Sequence, residues 1–191
     1  MKRLTACLTL RLLSGIGPIT AQKLVAAYGS PEAIFDSKAK PKERPTERLL
    51  TLLGQASSFK GELQSLKQWI QKEKLKPLLW GTEDYPLALS RCPDAPLVLF
   101  CRGNQSWESR RWVAVVGTRR PTPYGVESCQ ALLKELAPFH PVIVSGLYGI
   151  YAVAHKAALR EGLDTVACLP QALGLPIYPT SHQGLAEQIS Q

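Results

Sequence analysis

A small helical domain followed by an α/β domain with a mainly parallel, doubly wound sheet is the fold class predicted by this 191-residue sequence. Three observations carry the prediction. Before residue 76, apolar residues recur at the spacing of amphipathic helices. From Lys76 onward, short Val- and Leu-rich runs stand between Pro and Gly punctuation, as strands do. In that second part the runs alternate with helical patterns, which implies β-α-β crossovers and parallel strands buried on both faces.

The elements follow in order. Leu8, Leu12 and Leu13 precede the turn Ser14-Gly15-Ile16-Gly17-Pro18, and Ile19, Leu24 and Val25 follow it, so a helix, a glycine turn and a second helix are expected. Tyr28-Gly29-Ser30-Pro31 closes the second helix, and Ser30 can cap a short third one with Pro31 at its first position. Residues 36–48, rich in Lys, Arg and Pro, read as a loop. A further helix over Phe59 to Lys74 carries Leu63, Leu66 and Ile70 on one face. The domain boundary is placed near Lys76, giving a helical domain over 1–75 and an α/β domain over 76–191. Strands are expected at Leu97 to Cys101, Trp112 to Val116, Val142 to Ser145 and Thr165 to Leu169. Helices are expected at Val126 to Leu136, Tyr151 to Arg160 and Gly184 to Ile189. That order is half of a doubly wound, Rossmann-like domain.

Composition narrows the function classes. Apolar residues make up 45% and charged residues 20%, which fits a packed globular chain and excludes a fibrous or disordered one. The net charge of +8 is confined to residues 1–80, with fourteen Lys and Arg against six Asp and Glu; residues 81–191 hold nine of each. A basic first part draws polyanions by long-range attraction and counterion release, although exposed Lys also serves plain solubility. Cys7, Cys92, Cys101, Cys129 and Cys168 form no C-x-x-C pair and no cluster with His, so neither zinc nor a redox dithiol is indicated. An odd count among apolar neighbours points to free thiols in a reducing cytoplasm. Only seven uncharged residues separate Arg3 from Arg11, too few for the apolar region of an export signal, and no run approaches a membrane span.

Three loops can carry binding chemistry. In the helix-hairpin-helix pattern of Gly15, Ile16 and Gly17, glycines let the backbone approach a phosphate and the following helix start points its amides there. Such contacts ignore base sequence. The same turn also serves simply to join packed helices. The second loop, Gly117-Thr118-Arg119-Arg120 up to Tyr124-Gly125, leaves the carboxyl end of a strand, where ligands of open α/β sheets bind. Gly117 permits close approach, Thr118 offers a hydroxyl, and Arg119 and Arg120 match phosphate with bidentate forks. Tyr124 either stacks on a base or packs on its own helix. The third loop, Ser145-Gly146-Leu147-Tyr148-Gly149-Ile150, again joins strand to helix and provides a second anion site beside the first. Neither loop has the G-x-G-x-x-G and downstream acid of a dinucleotide fingerprint, so no cofactor is expected. His155 lies among Ala and Leu without a triad or metal partner and reads as a helix-packing residue. Trp69, Trp80, Trp107 and Trp112 share no spacing and read as core or interface residues.

Taken together, these residues resemble the DprA/Smf family of bacterial DNA-processing proteins. The match runs through Asp84-Tyr85-Pro86, Pro96-Leu97-Val98-Leu99-Phe100 with Arg102-Gly103-Asn104, and Val113-Ala114-Val115-Val116-Gly117-Thr118-Arg119-Arg120 with Pro123-Tyr124-Gly125. It continues through Val144-Ser145-Gly146-Leu147, Ala154-His155-Lys156-Ala157-Ala158-Leu159 and Ile177-Tyr178-Pro179. The resemblance implies a non-enzymatic, cytoplasmic protein of natural transformation that binds and protects single-stranded DNA, assists loading of the recombinase RecA, and forms a homodimer. It puts Gly117, Thr118 and Arg119 in one phosphate loop, and Ser145, Gly146 and Gly149 in the other. Two departures bear on this. The family's second loop reads Ser-Gly-Leu-Ala-Arg-Gly-Ile-Asp, whereas this one is a residue shorter, lacks the arginine and has Tyr151 in place of the aspartate. The chain also ends before the family's remaining strands, later basic motif and carboxyl-terminal helix, so the expectation is a truncated member with DNA, RecA and dimer contacts impaired. Competing expectations are a Rossmann-like nucleotide-binding or nucleotide-hydrolysing enzyme, for which a carboxylate is missing at Tyr151, and an inactive gene fragment.

Overall fold

The computed structural model describes residues 2–103 and 111–191. Met1, Asn104 and Trp107 of the sequence reading lie outside the described residues. The chain divides into two compact units, Met1–Arg102 and Gly103–Gln191.

In the first unit, α1 (Arg3–Leu12) and α2 (Pro18–Tyr28) flank the glycine turn. Ala6, Cys7, Leu8, Thr9 and Leu10 are buried on α1, and Ala21, Leu24 and Val25 on α2. The apolar stretch near the amino terminus is therefore core helix. Gly29, left-handed at φ 86°, ends α2. The Ser30 hydroxyl accepts from the Ala33 amide at 3.2 Å, so the cap read from the sequence is present, though the helix it starts is a single 3-10 turn, Ala33–Phe35. The 36–48 loop gives way at Thr46, which caps α3 (Glu47–Gly54) by accepting from the Leu49 amide. No helix is expected there from the sequence, because its Leu residues fall in a short run beside the Pro-rich loop. A 3-10 segment then leads into α4 (Lys60–Lys72), which buries Leu63 and Ile70.

The strand expected at Leu97 to Cys101 exists as β2 (Val98–Cys101), but its place differs from the expectation. It pairs antiparallel with β1 (Lys76–Leu79), Leu78 opposite Leu99, in a separate two-stranded sheet. Its partner is set by the returning 80–97 segment. There Tyr85 is buried, its hydroxyl donating to Pro96 O at 2.8 Å, and the four-residue α5 (Leu87–Ser90) follows. Trp80 Nε1 donates to Ser90 O at 3.4 Å, and Trp69 meets Phe100 edge-on at 5.5 Å. This sheet belongs with the helical unit, so compactness divides the chain at Arg102, whereas the change in sequence character comes at Lys76.

The second unit holds a parallel sheet of β3 (Trp112–Ala114), β4 (Val142–Ser145) and β5 (Thr165–Ala167), in that spatial order. Trp112 pairs with Val142 and Ile143 with Thr165. Between and after the strands lie α6 (Pro123–Leu136), α7 (Ile150–Arg160) and α8 (Gln183–Ile189). The fold is thus α/β with an amino-terminal helical region and both antiparallel and parallel pairing. Strand order does not reverse among the described residues, so the doubly wound arrangement is not on view in these strands. Helix α6 begins three residues earlier than expected because Thr122 caps it and Pro123 takes the first position.

Burial on both faces holds for β4 and fails for β3. Ile143 packs with Leu133, Ile150, Ala154 and Ala158, and Val113 and Val115 lie against the same cluster. The alternate residues of β3, Trp112 and Ala114, are exposed, as is Val116 just beyond the strand at 80%. The strand is at the edge of the sheet, and α6 and α7 share one core cluster on a single side of it. A second cluster of Leu147, Ala152, Ile177 and Leu185 joins α7 and α8. No helix among the described residues is long and apolar enough to cross a membrane.

Candidate nucleic-acid interface

Two loops leave the carboxyl ends of adjacent parallel strands and abut. The β3 ladder extends to Val115, whose amide donates to Val144 O at 2.9 Å. Beyond it the chain turns at Gly117. Thr118 Oγ1 accepts from the Arg120 amide at 3.2 Å, which shapes the turn, and Thr122 Oγ1 accepts from the Gly125 amide at 3.2 Å to cap α6. Arg119 and Arg120 are exposed, and among the described residues neither enters an ion pair. Two unpaired guanidiniums at a strand end are suited to a polyanion. Tyr124 is 79% exposed on the first turn of α6, so it does not pack on its own helix.

The second loop is locked to its surroundings. Ser145 is buried, its hydroxyl donating to Val115 O at 2.6 Å while its carbonyl accepts from the Cys168 amide at 2.8 Å, so it ties the ends of three strand segments together. The Ser145 proton is thereby directed into the sheet. A Cβ on Gly146 would come 2.6 Å from Tyr151 Cδ2. Leu147 O accepts from His182 Nδ1 at 2.7 Å. Gly149 has φ 66°, and a Cβ there would overlap Thr118 O and stand 2.6 Å from Arg119 Cα. Gly117 is glycine for the reciprocal reason, since a Cβ there would overlap the Ile150 side chain. The Ile150 amide donates to Thr118 O at 3.1 Å. The helix start that the sequence offers as a second anion site thus has its first amide engaged by the first loop.

His155 secures this joint from beneath. It is fully buried, with Nε2 2.6 Å from Gly146 O and Nδ1 2.6 Å from Thr165 Oγ1. A carbonyl can only accept, so Nε2 carries the proton. Burial holds the imidazole pKa below its ordinary value, which favours the neutral ring with Nδ1 accepting from the Thr165 hydroxyl. Thr165 Oγ1 is also 3.0 Å from Ile143 O, where its single proton turns if the ring becomes charged. His155 is a packing residue, as its apolar face implies, and it is a hydrogen-bonded one.

The sequence-named residues fall into two separate groups. Gly117, Thr118, Arg119 and Arg120 come together with Ser145, Gly146 and Gly149 in the second unit. Gly15, Ile16 and Gly17 belong to the first. There Gly15 has φ 90°, the Ile16 amide donates to Leu13 O at 3.1 Å, and Ile16 is buried. Gly17 is the exposed N-cap of α2, and no side chain caps that helix start. Beside it lies an apolar cleft of about 240 Å³ lined by Leu10, Ile16, Pro18, Pro96 and Val98. Sequence reasoning missed His182, Gln171 and the pairing of Tyr148 with Tyr178; only Tyr178 carried a local signal, its place in the Ile-Tyr-Pro motif. No disulfide joins the cysteines among the described residues, and burial pushes the Cys7 thiol up to about 11. No group of three His, Cys, Asp or Glu among the described residues is placed to hold a metal ion.

A parallel α/β unit with two interlocked glycine loops at its strand ends, one of them bearing exposed arginines, defines the class. The particular family comes from comparison with known proteins. The model of the DNA recombination-mediator protein A family matches residues 76–191. DNA processing protein DprA of Bacillus subtilis is 34% identical over 113 residues, covering 58% of this chain and 38% of the relative. Protein Smf of a Synechocystis strain is 31% identical over 197 residues, covering 93% and 46%. The X-ray structure of DprA from Streptococcus pneumoniae superposes on all of this chain and 65% of that one, with a TM-score of 0.69 at 28% identity. A structure of DNA processing protein A from Helicobacter pylori, described for its single-stranded DNA binding mode, has a TM-score of 0.52 at 33% identity and covers 62% and 54%. The chain belongs to the DprA/Smf family. It spans less than half the length of the curated relatives it matches.

Proposed function

We propose that this chain is a non-enzymatic, cytoplasmic DNA-processing protein that binds single-stranded DNA on a Rossmann-like framework, protects it during natural transformation and assists RecA loading. One observation carries the reading. The loop over residues 117–120 presents two exposed guanidiniums, without an ion pair among the described residues, at the carboxyl end of a parallel strand, held in place by Gly149 and Ile150 of the adjoining loop. Family membership supplies the class of ligand, and the relative from Helicobacter pylori is described as binding single-stranded DNA. The first unit's basic excess and its uncapped α2 start support a second, sequence-blind phosphate contact at Gly15, Ile16 and Gly17. RecA loading and pairing with a second copy enter this proposal from the family alone.

The absence of catalysis is part of the same reading. His155 beneath the loops is buried with both nitrogens engaged, His182 Nδ1 donates to Leu147 O, and the Ser145 hydroxyl donates to a strand carbonyl. Labelled oligonucleotide binding at several salt concentrations tests the function. Affinity should fall steeply with salt, and Arg119→Ala should weaken it and flatten the salt slope by about one contact. No binding at low salt, or an unchanged Arg119→Ala variant, overturns the proposal. Cleavage of the oligonucleotide or of a nucleoside triphosphate would overturn the non-enzymatic part.

A further inference from the structure

Tyr148 and Tyr178 stack with centroids 6.0 Å apart and planes at 28°. They come from the loops after β4 and β5, at the same end of the sheet as Arg119. Each follows a buried residue of one cluster: Leu147 precedes Tyr148, Ile177 precedes Tyr178, and both pack with Ala152 and Leu185. The backbone beneath each ring is therefore anchored, with the Tyr148 ring half-buried and the Tyr178 ring 72% exposed. Hydrogen bonds hold both segments. Leu147 O accepts from His182 Nδ1, and Gln171 accepts from the Tyr178 amide at 3.3 Å while donating to Pro176 O at 3.0 Å. Tyr148 is also the immediate neighbour of Gly149, whose Cα packs on the Arg119 backbone.

A ring held with one face on a partner and the other open to water loses little freedom when a third planar group stacks on it. We infer that Tyr148 and Tyr178 form a base-stacking platform that takes an unpaired nucleobase of the strand whose phosphates lie on Arg119 and Arg120. The inference rests on the single-stranded DNA reading above and deepens it. In this chain the second loop has no arginine and carries tyrosine at 148, so its contribution to the strand shifts from charge to stacking. Bases paired in a duplex are already stacked and their faces are unavailable, so the platform selects single strands.

The test uses the whole chain, an oligothymidine, and an abasic strand of equal length and charge, titrated at several salt concentrations against wild type, Tyr178→Ala, Tyr178→Trp and Arg119→Ala. Tyr178 is exposed, so all variants should melt as wild type does. Tyr178→Ala should lose on the order of ten-fold in affinity for oligothymidine, the scale of one stacked base, with the salt slope unchanged. Tyr178→Trp should retain affinity, and the abasic strand should bind wild type and Tyr178→Ala alike. Equal binding of oligothymidine by wild type and Tyr178→Ala overturns the platform while leaving the DNA reading intact, provided Arg119→Ala still weakens binding. Wild type that binds neither strand overturns both.

Discussion

A Cβ placed on Gly17, in the hairpin of the first unit, would meet nothing within 4 Å, whereas one placed on Gly149 would run into the backbone of Thr118 and Arg119. Gly15 needs its left-handed φ to make the turn, and the space around Gly17 is open. Gly117 and Gly149 are glycines because another segment of chain already fills the space. The same residue type in the same kind of motif thus leaves open space in one unit and forms a joint between two loops in the other. Under the proposed function, the joint in that second unit holds Arg119 and Arg120 where they can face a phosphate.

The sharpest way to break this contrast is to fill each glycine. Gly149→Ala combines a left-handed φ with a backbone collision and should cost about 3 kcal/mol or more. A thermal melt of the variant that matches wild type would show that the loops do not interlock. Removing the tether below the joint should cost less. His155→Leu leaves Gly146 O without its donor and should destabilise by about 2 kcal/mol in chemical denaturation. The same histidine sets a pH signature. Its folded pKa lies below the unfolded value near 6.5, so its contribution to stability is complete above that value and is lost as pH falls through the folded pKa. Stability measured from pH 8 down to pH 5 should therefore decline with a component that His155→Gln removes. The smallest effect falls in the first unit. Gly17→Ala should change stability by less than about 1 kcal/mol, because its φ of −80° suits any residue, yet it should weaken a phosphate contact made through that backbone. Unchanged affinity for labelled oligonucleotides would assign the hairpin to joining helices alone.

Much of the chain is legible in one dimension. The helices α1, α2, α4, α6, α7 and α8 follow from apolar periodicity, and strands β3, β4 and β5 from short Val-rich runs between breakers. The caps at Ser30 and the stop at Gly29 follow from local chemistry. Strand partnership does not. Val98–Cys101 has the same apolar look as Val142–Ser145, yet one pairs antiparallel beside the helices and the other lies at the centre of the parallel sheet. Both are apolar runs, and hydrogen bonding between strands is made by backbone groups common to every residue. The exposure of alternate residues along β3 is equally hidden, because Trp112-Val113-Ala114 has the composition of a core strand and only the layers packed against it decide which residues are covered.

The site divides in the same way. The sequence by itself determined that two glycine loops follow consecutive strands, that one carries Arg119 and Arg120, and that the set belongs to one family, because side-chain chemistry and order are written residue by residue. Tertiary structure alone decided that Gly149 packs on Arg119, that Ser145 and His155 turn inward, and that Tyr148 meets Tyr178. Each of these joins segments that are far apart in the chain, and their relative placement is fixed by the core clusters beneath them.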